Sequence, residues 1–508
     1  MHKPIILYCL IFTAFIFYHL LTLSISPIVW IDEIPNNSKV LDFILNGTFH
    51  FNADKTWDWG GGKAFAGPVY YVLNSFIISA FGNGVFQSRL LELAAGLLII
   101  FFISKNYAFR KLNLWQLLIF ICFLFDPFFS SEMHRGRFDL LAVLFCLLSV
   151  NSLIGSPVKS LNQKKAVTYF SSIASGLFYG VSILTHIRLA FFAPVFFALF
   201  LVEWLQNKNE RKNIFYKSVA WAVGVGILFF PWIYFHFGGI GQYIDEYTLL
   251  MKRAPIFVGS EWMILPEVLP LFLIFITFSG IFLLNYKYFA NSRWPLACFS
   301  MIAVFFTLIR DTGHYSILVI PCFYLLIFLV IEFYDQYKKI YRLAIAGGTT
   351  LLFIVYTGIF IMKSNVLITD YPARDPAALN QFISQHIPAC VRVCTDEYYY
   401  FSVLKNKNDL HLFYSFQAEA NKAKKDSLFI EIEKYSRVKF DYDYLVISDI
   451  TQWLRPELFE LYKGNGHLQA IARFDPPATP LPASLSFLSV KNIGKTGYNG
   501  TIYKRIRE

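Results

Sequence analysis

Charge is scarce in this chain. Of its 508 residues only 16% are Asp, Glu, Lys or Arg, while 56% are hydrophobic and 19% aromatic. Soluble domains carry about a quarter of their residues as charges, so this balance excludes an ordinary soluble protein. Mean hydropathy is +0.48. Cysteine is sparse too. The seven are scattered and most fall inside apolar runs, which excludes a disulfide framework and makes them small core residues. Cys390 and Cys394, in "ACVRVC", sit outside those runs. In an extended strand they stand too far apart to bond. No matching histidine set makes them a zinc site. Internal repeats and low-complexity tracts are lacking, and the C-terminal stretch has no nucleotide loop. No small-residue cleavage site follows the first apolar run, which therefore reads as a retained helix and not a signal peptide.

Apolar runs of membrane length are what the chain has instead. About eleven spans are expected, near 5–25, 88–104, 112–130, 137–154, 167–184, 187–204, 216–236, 265–285, 295–310, 314–332 and 343–362. The expected class is a polytopic α-helical membrane protein with a C-terminal extracytoplasmic α/β domain. The domains are then 1–362, in the membrane, and 363–508.

The formal charge is +11. In a soluble protein this suggests nucleic acid. Here it reports topology, and membrane lipids replace nucleic acid as the partner. "SKNYAFRK", "SPVKSLNQKK", "QNKNERKNIFYK", "NYKYFANSR" and "YDQYKKIYR" are basic. They alternate with residues 26–87, "SSEMHRGRFD", "THIR", residues 237–264 and "IRDTGHYS". The positive-inside rule puts the first set in the cytoplasm and the second outside. The N-terminus is then inside and the tail outside. Within 26–87, "PVYYVLNSFIISAFG" is apolar but short for a span. It reads as an interfacial or re-entrant helix, with Tyr70 and Tyr71 suited to the interface. In the tail, "ARDPAALNQFISQHIP" offers Asp375 as N-cap and Pro376 at the first helical position. "VRVCTD" and "DYLVISD" read as strands.

Ionisable side chains near a membrane are costly unless a partner, cavity or ligand compensates them. Four groups stand out, all on the outer side. They are Asp32 with Glu33; Glu132, His134, Arg135, Arg137 and Asp139; His186 with Arg188; and Arg310, Asp311 and His314. Each alone reads plainly as a solvated helix end, a surface turn or a snorkelling arginine. Together they mix cations for a phosphate with a carboxylate for proton abstraction. That mix suits glycosyl transfer from a lipid-phosphate donor. The acceptor hydroxyl needs a base, and the departing phosphate needs forked donors.

Three stretches carry a family resemblance: "WIDEIPNN", "GKAFAGPVYYVLNSFIISAFGNGVFQSRLLELAAGLL" and "HRGRFDLLAVLFCLL". With looser matches at "GLFYGVSILTHIRLAFFAP" and "RDTGHYSILVIPCFYLL", the chain over about residues 1–340 resembles the GT-C-fold integral-membrane glycosyltransferases. The nearest likeness is to the bacterial protein O-mannosyltransferase-like and lipid A aminoarabinose transferase-like enzymes. The resemblance implies a GT-C-like membrane domain and a glycosyltransferase of the bacterial inner membrane. It implies a polyprenyl-phosphate sugar donor, inversion at the sugar and an extracytoplasmic acceptor: lipid, glycan or protein. It makes Asp32 the catalytic acid of the first outer loop and Glu33 its supporting acid. Arg135, Arg137, Arg188, Arg310, Lys63 and His314 become candidate phosphate and donor contacts, and Tyr70 and Tyr71 candidate liners of the donor groove. "AGPVYY" and "RGRFD" depart from the usual family forms, which leaves sugar and acceptor open. A divalent metal stays open as cofactor. The rival readings are a polyprenyl-linked polysaccharide polymerase or ligase, a membrane transporter and a structural assembly factor. A transporter predicts inverted repeats, broken helices and midplane charges, whereas the charges here sit at span ends.

Overall fold

The computed structural model describes residues 3–29, 32–49, 68–107, 113–155, 169–245, 268–289, 292–309, 315–412, 442–454, 456, 459, 467–478 and 497–506. Its membrane part holds α1 (Lys3–Thr22), α2 (Glu33–Asn46), α3 (Pro68–Phe81), α4 (Val85–Tyr107), α5 (Leu114–Leu124), α6 (Pro127–Glu132) and α7 (Asp139–Ile154). It continues with α8 (Tyr169–Thr185), α9 (Ala193–Gln206), α10 (Arg211–Trp232), α11 (Leu269–Leu284), α12 (Trp294–Leu308), α13 (Ile320–Glu332) and α14 (Lys339–Thr369).

Five helical segments are long and apolar enough to cross a bilayer: Val85–Lys105, Leu114–Glu132, Ile187–Gln206, Lys208–Phe237 and Lys339–Thr369. The chain is a multi-pass membrane protein. The expectation of about eleven transmembrane helices is corrected by this finding. Seven further apolar helices among the described residues run only 10–17 residues, and a bilayer core needs about 20. The reason is that hydropathy scores burial in protein and burial in lipid alike. Every residue from Ile320 to Ile331 of α13 is buried, so that helix is apolar because protein surrounds it. Local chemistry also breaks runs. Asp126 caps a new helix by accepting from the Phe129 N–H at 2.8 Å, with Pro127 at its first position.

The helix ends collect at two opposite levels. At one, Glu203 takes Arg293 at 2.6 Å and Lys217 at 3.7 Å. Gln116 donates to Glu332 at 3.1 Å, and Trp294 Nε1 donates to Gly155 O at 2.8 Å. This is the level of the basic loops. The start of α4, the α6–α7 and α8–α9 turns and the end of α14 lie at the other.

Glycine sets one close crossing. A Cβ on Gly176 of α8 would lie 2.1 Å from Trp221 O of α10, and one on Gly224 would lie 2.4 Å from Ile173 O. The backbones therefore meet with nothing between them, as small residues allow in membranes. Trp221 then stacks on Tyr179 and Phe196 at 5.5 and 5.0 Å.

From α14 a single helical turn, Tyr371–Arg374, leads into α15 (Pro376–His386). Asp375 caps α15 by accepting from Ala377 N–H at 2.9 Å. Beyond it β1 (Arg392–Thr395), β2 (Asp409–Leu412), β3 (Tyr444–Ser448), β4 (His467–Phe474) and β5 (Gly500–Ile506) form one mixed sheet in the order β2-β1-β3-β5-β4. β1, β2 and β3 are parallel; β5 joins antiparallel, pairing Ser448 with Gly500. Its core packs on the strap between α1 and α2: Ile28, Val29 and Ile34 cluster with Leu379, Ile383, Tyr399 and Tyr400.

Gly176→Leu should separate α8 from α10 and destabilise the chain by about 2 kcal/mol or more. Thermal unfolding of the detergent-solubilised protein checks this; an unchanged midpoint would refute the close crossing.

Candidate functional site

The strap, described at residues 23–29 and 32, leads into the acidic pair Asp32 and Glu33, and a buried ion pair holds it. Arg89 of α4 and Glu33 of α2 are both 0% exposed. Arg89 Nε donates to Glu33 Oε2 and Nη2 to Oε1, each at 2.8 Å. This fork-on-fork contact is the strongest geometry the two groups have. Arg89 Nη1 also donates to the carbonyls of Leu23 and Pro27 at 2.9 Å. Glu33 Oε2 accepts from Gly136 N at 3.2 Å, and Asn36 Nδ2 donates to Gly136 O at 3.1 Å. A Cβ on Gly136 would sit 3.1 Å from Ser88 O and 3.2 Å from Glu33 Oε2. The α6–α7 turn is thereby docked against the strap.

Asp32 faces the other way. It precedes α2 at the N-cap but makes no capping bond, and its side chain is 47% exposed. Arg137 Nη1 lies 3.5 Å from Asp32 Oδ2, and Arg137 Nε lies 2.8 Å from Asp139 Oδ2. His186 Nε2 lies 3.0 Å from Asp139 Oδ1, while His186 Nδ1 accepts the Arg188 N–H at 3.2 Å. An Nδ1 that accepts is bare, so the ring proton is on Nε2, on the side of Asp139. Burial pushes the His186 imidazole below its ordinary range, against the pull of Asp139. The Arg188 guanidinium lies 3.7 Å over the Tyr315 ring, and Arg137 lies 5.7 Å from it. Burial pushes the Tyr315 phenol up, with the two arginines opposing, so it keeps its proton. Glu92 of α4 accepts from Leu140 N and Leu141 N at 2.8 and 3.2 Å, fixing the start of α7 and with it Asp139.

The structure thus brings Asp32, Arg137 and Arg188 together around Tyr315. Arg135, two residues from Arg137, diverges to pair with Glu132. Glu33 is a buried anchor. Tyr70 and Tyr71 are 1% and 0% exposed. Tyr70 OH donates to Ser88 O at 3.2 Å and Tyr71 OH to Asn36 Oδ1 at 3.4 Å, so both pin α3 to its neighbours. Lys63, Arg310 and His314 lie outside the described residues. No group of three His, Cys, Asp or Glu able to hold a metal ion occurs among the described residues. Sequence reasoning left Arg89, Glu92 and Tyr315 without a role. The available signal for the first two was a charged pair three residues apart inside an apolar helix.

Arg89→Met should leave the Glu33 carboxylate buried and unpaired, at a cost of about 3–5 kcal/mol. Glu33→Gln with Arg89→Met should recover part of that loss. Folded yield and thermal unfolding of the three variants check both.

No family profile and no curated protein sequence matches the chain. Solved structures do. ArnT from Cupriavidus metallidurans in the apo state superposes with a TM-score of 0.57 at 14% identity, over 97% of each chain. The same protein bound to undecaprenyl phosphate gives 0.54 at 13% identity, over 97% of this chain and 98% of that one. The chain has the fold of the GT-C integral-membrane glycosyltransferases.

Proposed function

We propose that the chain transfers a sugar from a polyprenyl-phosphate donor to an acceptor on the outer side of the membrane, with Asp32 as general base. The observation that carries this reading is a half-exposed carboxylate beside a buried arginine, with a second arginine across a shared tyrosine. The fold supports the class, and the undecaprenyl phosphate held by the ArnT structure supports the carrier.

In this reading the acceptor O–H gives its proton to the Asp32 carboxylate as its oxygen bonds to the anomeric carbon. The bond from that carbon to the phosphate oxygen breaks, and the electron pair leaves with the phosphate. Arg137 and Arg188 meet the charge that gathers there, as fixed donors do best in a site that need not reorganise. Asp139 and His186 are positioning residues. Asp139 holds Arg137 from behind, so its guanidinium stays forward and charged. His186 Nε2 lies 3.0 Å from Asp139 Oδ1, which places the imidazole behind Asp139 and Arg137. Attack from the face opposite the departing phosphate would invert the sugar, as the sequence resemblance implies. Lys63, Arg310 and His314 are assigned to donor binding on the sequence alone. The acceptor reaches Asp32 from the side of the C-terminal sheet.

Asp32→Asn should leave folding unchanged and lower transfer by roughly a hundredfold or more, the low end of what a general base contributes. The measurement is transfer in purified membranes supplied with a panel of polyprenyl-phosphate sugars; unimpaired transfer removes Asp32 from this role. Sidedness has its own check. A reporter active only outside the cytoplasm, fused after Asp370, should be active; a silent fusion places the site on the wrong face.

A further inference from the structure

The sheet domain reaches the strap through a short run that ends at the first residue of β5: Gly497, Tyr498, Asn499 and Gly500. A Cβ on Gly497 would lie 2.4 Å from Ala373 Cβ and 2.7 Å from Ala373 O. Tyr498 N donates to that same carbonyl at 2.7 Å. The run is thus pressed onto the junction between α14 and the sheet domain. The next residue of that junction, Arg374, donates from Nε to Ile25 O of the strap at 2.7 Å. Tyr498 is buried, and its hydroxyl accepts the Val29 N–H at 3.4 Å.

A second tyrosine of the same domain reaches the other side of Asp32. Tyr400 opens the short helix Tyr400–Lys405, and its hydroxyl donates to Asn37 Oδ1 at 3.2 Å. Both residues are buried. Asn37 also exchanges amide hydrogen bonds with Asn83 of the α3–α4 turn, at 2.8 and 3.3 Å. Glu33 and Asn37 stand one helical turn apart on one face of α2. Arg89 fixes that face at Glu33, and Tyr400 fixes it at Asn37. Asp32 therefore lies between two bonds to the sheet domain, one before it at Val29 and one after it at Asn37. Its side chain makes no capping bond to its own helix, so its direction rests on the backbone either side and on Arg137.

We infer that the C-terminal sheet domain is a positioning element of the transfer site, in which Tyr498 and Tyr400 hold Val29 and Asn37 and so aim the Asp32 carboxylate. The inference rests on the reading of Asp32 as general base. Cohesion of the two domains does not require these hydroxyls. Ile28, Val29 and Ile34 pack on Leu379, Ile383, Tyr399 and Tyr400 whether or not an oxygen is present. Such apolar contact is non-directional. A hydroxyl bonded to one backbone N–H or one amide oxygen fixes distance and angle, and both hydroxyls act on the segments that flank the base. Placement of this kind matters to transfer, since a misplacement of about 1 Å can cost a hundredfold in rate. Tyr498 and Tyr400 act through Asp32, and neither exchanges a proton with substrate.

The test uses Tyr498→Phe and Tyr400→Phe in the full chain, with Tyr503→Phe as control. Tyr503 lies on the same strand as Gly500, and its hydroxyl meets only Gln452 of the sheet domain, at 3.4 Å, among the described residues. Transfer is measured with whichever polyprenyl-phosphate sugar of the panel reacts best. Tyr498→Phe and Tyr400→Phe should each lower kcat by roughly fivefold or more and leave the donor KM within about twofold. Tyr503→Phe should change neither. In an Asp32→Asn background the same two substitutions should cost less than about twofold, because the group they aim is gone. Losses that multiply with Asp32→Asn overturn the proposal, as does a Tyr503→Phe loss equal to the others. Hydrogen–deuterium exchange over residues 23–37 reads the hold without any transfer. Tyr498→Phe and Tyr400→Phe should speed it by roughly threefold or more, and unchanged exchange in both overturns the proposal. Should Asp32→Asn alone transfer normally, the base reading falls by itself, and the exchange measurement decides whether the sheet domain holds the strap.

Discussion

The structure turns on the buried pair of Arg89 and Glu33. Neither charge touches solvent, and desolvating both is tolerable only because every donor of the fork finds an acceptor. One guanidinium joins α4 to α2 and to two carbonyls of the strap, and one carboxylate adds the α6–α7 turn. Asp32 and Arg137 lie on the two segments that this pair holds together. Their 3.5 Å approach is a consequence of the buried pair as much as of their own attraction.

The described strap residues lie in no helix or strand, so their carbonyls need outside partners. Two arginines and a histidine provide them. Arg89 takes Leu23 and Pro27, Arg374 takes Ile25 at 2.7 Å, and His134 takes Ser26. Arg374 sits where α14 passes into the C-terminal sheet domain. Tyr498 OH accepts from Val29 N at 3.4 Å, and Tyr400 OH donates to Asn37 Oδ1 at 3.2 Å. The strap is thus shared between membrane helices and the sheet domain, and a movement of that domain would reach Asp32 directly.

Two residues two positions apart show how finely the turn sorts charge. Arg137 serves the Asp32 side, held by Asp139, while Arg135 pairs with Glu132 and acts on Lys363. His134, just before them, pairs with His19. Gly136 makes the sorting feasible, because a side chain there would collide with Ser88 and Glu33. Hydrogen bonding also fixes the imidazoles. His186 Nδ1 accepts from Arg188 N and its Nε2 lies 3.0 Å from Asp139 Oδ1, while His19 and His134 meet each other through one nitrogen each.

Composition alone determined that this is a membrane protein, because so few charges cannot solvate so much apolar surface. Alternation of basic and mixed loops separated the two ends of the helices. The Asp375–Pro376 pair started its helix where local capping chemistry places it, and "VRVC" and "YLVIS" became strands. The number of helices able to cross was not legible, because an apolar residue does not record whether lipid or protein covers it. The charged turns were legible, and three of their residues do meet: Asp32, Arg137 and Arg188. What the tertiary structure alone decided was how neighbours divide. Asp32 and Glu33 are adjacent in sequence, yet one is half exposed beside Arg137 and the other is sealed against Arg89. The helix start between them turns successive side chains about 100° apart, and only the packing of α4 and the α6–α7 turn settles which of those directions is wet.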